Sequence, residues 1–92
     1  MTPGDALGFA RGAARWQQLQ FAHPHAHARM DERGATPSDV AIAIMTSTAI
    51  LPDRHRLHRY RLSGGTDRKG EPLNVVIDIR RNVVTVVTIM GD

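Results

Sequence analysis

The 92-residue sequence predicts an α+β fold, with about three helices first and an antiparallel sheet of three to four strands after them. Three observations carry this. Apolar residues recur at helical spacing as far as Met45, and the period changes to two after Pro52. Thr36-Pro37-Ser38-Asp39 is a helix start, with a capping hydroxyl, a proline suited to the first helical position and an acid in the first turn. Leu73 to Met90 alternates about Arg81-Asn82 as the arms of a hairpin do. Helices followed by strands, rather than interleaved with them, is the order of an α+β domain.

Met1 to Gly4 is a loose start. With Asp5 as cap, Ala6, Phe9, Ala13, Trp16 and Leu19 fall on one helical face, which predicts a first helix to about Gln20 docked by Phe9 and Trp16. Pro24 fits the first turn of a second helix, Ala26 and Met30 its buried side, and Gly34 the position just past its end. The third helix follows Thr36 and is apolar nearly all round. It ends by Leu51, because Pro52 disfavours the helical conformation before it.

Arg54 to Leu62 then reads as a strand, with His58, Tyr60 and Leu62 on one face and Leu57, Arg59 and Arg61 on the other. Ser63 to Glu71 is a polar loop. A two-residue turn at Arg81-Asn82 pairs Ile79 with Val84, Ile77 with Val86, Val75 with Thr88 and Leu73 with Met90 on an apolar face. It pairs Asp78 with Thr85 and Val76 with Val87 on a mixed one. One covered face and one partly open face follow.

The length fits one domain, 1–92, with an extra N-terminal helix over 1–20. There is no cysteine, so disulfides and thiolate metal sites are excluded. No apolar run is long enough to span a membrane and no apolar signal core opens the chain, so we expect a cytoplasmic protein without a membrane role. Twelve Lys and Arg stand against nine acids, and all the bases but Lys69 are arginine. Arginine offers a planar fork that matches phosphate, although a GC-rich genome gives the same bias. Arg54, Arg56, Arg59, Arg61, Arg68 and Lys69 fall within sixteen residues against Asp67 alone, which points to a polyanionic partner.

The sharpest pattern is His25, Arg29 and Arg33, four residues apart and therefore on one face of the second helix. Like charges at that spacing repel unless an anion lies among them. The plain alternative is a solvated basic face. His23, His25 and His27 alternate, yet a helix aligns only the first and last, and no acid or cysteine completes a tetrahedral set, so no metal is expected. Gly64, Gly65 and Gly70 match neither a P-loop nor a dinucleotide fingerprint, and no cofactor is expected. Metal-independent RNA cleavage fits better. It needs a group that moves a proton near neutral pH, as histidine can, and fixed cations on the developing phosphorane, as arginines supply. His25 beside Arg29 and Arg33, facing the strand of His58, Arg59 and Arg61, has those parts, with Arg68 and Lys69 extending the basic surface.

His25-x-x-x-Arg29-Met30-x-x-Arg33-Gly34, then a capped helix, then strands ending in Val-Val-Thr-Ile, resembles a family of small bacterial domains of unknown function of the 4258 type. That family is grouped with the barnase/EndoU/colicin/RelE-like ribonuclease toxins. The resemblance covers about Phe21 to Met90, and Ala35 stands where the pattern has isoleucine. It implies helices packed on a curved antiparallel sheet and an RNA-cleaving toxin, restrained by an antitoxin or immunity protein. It also implies that His25, Arg29, Arg33 and Thr88 are site residues. A different class stays open: a non-catalytic nucleic-acid or protein interaction module, in which the helix row forms salt bridges, with Asp78 or Asp31 as candidate partners. A homodimer is compatible with either.

Overall fold

Thr2, not Asp5, caps the first helix, α1 (Pro3–Arg15). The Thr2 hydroxyl accepts the Asp5 N–H, and the Asp5 carboxylate accepts the Thr2 N–H in return, both at 3.1 Å. This reciprocal pair satisfies two end groups where Asp5 as cap would satisfy one. Ala6, Ala10, Ala13 and Ala14 form the buried side. The helix stops five residues short of Gln20, because Gln17 adopts a left-handed backbone with φ 56° and turns the chain. Trp16 therefore sits at the helix end, 72% exposed, and does not dock on the core; Phe9 is partly buried against it. The computed structural model describes residues 1–91.

The turn at Gln17 leads into β1 (Leu19–Phe21), a strand that helical spacing had concealed. The next helix, α2 (His25–Arg33), buries Ala26 and Met30 and ends at Gly34, whose φ of 67° suits a residue with no Cβ. Thr36 and Asp39 form a second capping box at the start of α3 (Pro37–Thr46). There Val40, Ala43 and Ile44 are buried. The helix ends at Thr46, where the Ser47 backbone is extended and its hydroxyl donates to the Ile44 carbonyl at 2.7 Å.

Release at Ser47 leaves room for β2 (Ala49–Pro52), ahead of β3 (Arg59–Ser63), β4 (Asn74–Arg80) and β5 (Val83–Met90). The single strand expected over Arg54–Leu62 is instead a loop followed by β3, whose pairing partner β2 ends at Pro52. Asp53 makes the loop, its carboxylate accepting the His55 and Arg56 N–H groups at 2.7 and 3.0 Å. The sheet has five strands in the order β1-β5-β4-β3-β2. It is mixed rather than purely antiparallel, since β1 pairs parallel with β5.

The hairpin turn is Arg81-Asn82, both left-handed at φ 52° and 63°. Near it the expected register holds: Ile79 with Val84, Asp78 with Thr85, Ile77 with Val86. Beyond it a bulge at Val87 shifts the pairing, so Val76 meets Thr88, Val75 meets Ile89 and Asn74 meets Met90. The extra residue keeps Ile89 on the covered face, where it is fully buried, and puts Thr88 on the open one. Leu62, Val75, Ile77, Ile79, Val84, Val86 and Ile89 share the core with the small residues of the helices. Arg59, Arg61, Val76, Asp78, Thr85 and Thr88 share the other face of the sheet.

Candidate nucleic-acid interface

Parallel pairing of β1 with β5 decides where the α2 row lies. β1 ends at Phe21, opposite Val86, and the Ala22 N–H donates to the Val86 carbonyl at 2.9 Å. From there α2 runs against β5. Past the end of β1, Arg29 Nη2 reaches the Ile89 carbonyl at 3.3 Å, and its Nη1 pairs with Glu32 at 3.1 Å. One turn further, the Arg33 guanidinium lies over Gly91, where a Cβ would stand 2.6 Å from Nη1. With glycine there, the guanidinium can rest directly on the backbone. Two guanidinium groups of the row thus gather at the C-terminal end of β5.

Thr88 joins them on the same strand, its hydroxyl held only by a 3.5 Å contact to the Ile89 carbonyl and so free to take a better partner. Register then puts Leu51, Arg61, Val76 and Thr88 in one row across the sheet. Arg61 is exposed and stands two strand spacings from Thr88, roughly 10 Å. A hollow of about 450 Å³ lies where the end of α2 meets the β3–β4 loop, lined by Arg33, Lys69, Asp67, Glu71, Pro72 and Gly91.

The remaining sequence candidates are placed differently. Arg59 gives both Nε and Nη2 to Asp78, at 2.7 and 3.0 Å, and this pairing raises the guanidinium pKa despite partial burial. Its fork is spent on the protein itself. Arg68 donates through its Nε and its backbone N–H to Asp39, at 2.9 and 3.1 Å, tying the β3–β4 loop to the start of α3. His58, with a left-handed φ of 69°, opens β3 at the opposite end of the molecule's strands, beside a hollow lined by Tyr60, Arg80 and Arg81. It does not face the α2 row. His25 is exposed, and among the described residues its side chain makes no hydrogen bond or ion pair. The His23 and His27 rings meet edge to face at 5.3 Å, and among the described residues no three metal-ligating side chains converge.

Asp78 was the candidate partner for the helix row; it holds Arg59 instead, while Arg29 finds Glu32 within its own helix. The pairing of Arg59 with Asp78 depends on the β3–β4 register, and the long loop between those strands hides that register from the sequence. Thr85, which shares the open face through its pairing with Asp78, was likewise not singled out. Gln20, its partner on β1, was missed along with that strand.

No curated protein and no solved structure matches this chain. A family model described as "Domain of unknown function (DUF4258)" matches residues 23–91, from just before α2 to the end of β5, and leaves out α1 and β1. The row of α2, the open-face residues of β3 to β5 and the end of β5 all lie inside the matched region, and the chain belongs to this family of domains of unknown function.

Proposed function

We propose that the chain binds an RNA backbone along α2 and the open sheet face and cleaves it without a metal, as a small toxin restrained by a partner protein in the cytoplasm. A barnase/RelE-like arrangement, with helices on one face of a sheet and RNA on the other, belongs to the same proposal. The observation that carries it is the gathering of Arg29 and Arg33 at the end of β5 beside the free hydroxyl of Thr88, with Arg61 in the same cross-strand row. Guanidinium groups at two points, on α2 and on β3, suit phosphates in sequence. His25, one turn before Arg29, is the proton-transfer group, and Thr88 a hydrogen-bond donor to the phosphate.

One observation favours the second reading, a non-catalytic nucleic-acid or protein interaction module: among the described residues no partner orients the His25 imidazole, and a proton-transfer group works best when held. Incubation with single-stranded RNA in the presence of a chelator separates the two. The toxin reading expects cleavage that survives the chelator and drops by about 10²- to 10⁴-fold in His25→Ala. Salt-sensitive binding with no cleavage leaves the module. Neither cleavage nor binding removes RNA from both readings.

A further inference from the structure

Outside the family region, α1 presents a face that none of the described residues covers. Gly4, Gly8, Gly12, Asp5, Arg15 and Trp16 lie opposite its buried alanines, and a Cβ built on Gly8 or Gly12 meets nothing within 4 Å. Trp16, the only tryptophan, stands 72% exposed at one end of that face. Between it and Gly8 is a shallow hollow of about 270 Å³. An indole left in water beside an unfilled hollow is the signature of an interface.

We propose that this face of α1 docks against the same face of a second copy of the chain, as an antiparallel helix pair about a twofold axis. The sequence of the face is self-complementary in that arrangement. Centring the axis between Gly8 and Gly12 sets Gly8 of each copy opposite Gly12 of the other, so the backbones approach closely. The same centring brings Trp16 over Gly4 of the second copy, which has no side chain to block the ring. It also brings Asp5 level with Arg15 of the second copy, acid against base, at both ends of the pair. An isologous contact must match itself in this way. In a parallel pair Asp5 would face Asp5 and Arg15 would face Arg15, so charge selects the antiparallel one. Neither residue is committed elsewhere in a way that forbids it: Asp5 uses one oxygen to cap the helix, and Arg15 makes no ion pair among the described residues.

A single helix pair is a small interface, so association in the roughly micromolar range or weaker is expected. Sedimentation of the chain from ~1 μM to ~1 mM should show the mass double, with Trp16 emission moving to shorter wavelength over the same range. Gly8→Leu fills open space in the monomer and should keep the circular dichroism spectrum while abolishing both changes. Arg15→Glu, which sets acid against Asp5, should weaken association by about tenfold or more. A chain monomeric throughout overturns the proposal. So does a dimer that Gly8→Leu leaves intact, or one that forms without any change in Trp16 emission.

Discussion

Asp39 is 4% exposed and still carries its charge. Its carboxylate accepts the Thr36 N–H at 2.8 Å and the Thr36 hydroxyl at 3.1 Å, and the Arg68 backbone N–H and Nε reach its other oxygen. The Thr36 N–H does most to hold the carboxyl well below its ordinary 3.8, with Arg68 adding to it against the cost of burial. Truncation in Asp39→Ala should cost about 2 to 4 kcal/mol, the loss of a helix cap together with charge-assisted hydrogen bonds. Urea unfolding would measure it. The pH dependence has a definite sign. A carboxyl whose folded pKa is depressed stabilises the fold above its unfolded value, and the contribution is lost as pH falls through the folded one. Stability of the parent should therefore fall from about pH 4 downward, more steeply than that of Asp39→Asn. The cap was legible in the sequence, since Thr36 and Asp39 are three apart. Arg68 was not, because it arrives from 29 residues away on a loop whose path no local pattern records.

Helices and strands were legible in proportion to how much of their structure is local. α2 ends at Gly34 and α3 starts after Thr36 as read, because caps act within one turn. The Arg81-Asn82 turn and the first three pairs beside it were legible too, since a two-residue loop fixes the register. The bulge at Val87 was not, because an alternating apolar run looks the same with or without one extra residue. β1 and β2 were lost for a related reason. Three or four residues next to a helix continue its pattern until a partner strand claims them, and their partners lie in β5 and β3. The turn itself is open to improvement. Both of its residues are left-handed, a conformation that arginine adopts at a cost and that asparagine followed by glycine adopts readily. Replacing the pair by Arg81→Asn with Asn82→Gly should raise stability by about 1 kcal/mol, seen as a higher midpoint in thermal unfolding.

Over the whole molecule the five candidate site arginines separate into two groups, and the division decides what each group can do for an anionic partner. Arg59 and Arg68 each hold a carboxylate from another element, and Arg29 shares Glu32. Arg33 and Arg61 have no ion pair among the described residues and lie on the α2 side and the open face of the sheet. Sequence treats all five alike, because only the fold brings Asp78 under Arg59 and Asp39 under Arg68. A phosphate contact releases counterions, so each cation that truly touches an RNA backbone adds about 0.7 to the slope of log affinity against log salt for a single strand. Arg33→Ala and Arg61→Ala should each reduce that slope by about this amount on a uniform single-stranded RNA, and the double variant by about 1.4. Arg68→Ala should lower the unfolding midpoint by releasing Asp39 and leave the slope unchanged. If all three variants lowered the slope equally, binding would be a diffuse response to net charge, and the row from α2 to β3 would lose its claim to be a site.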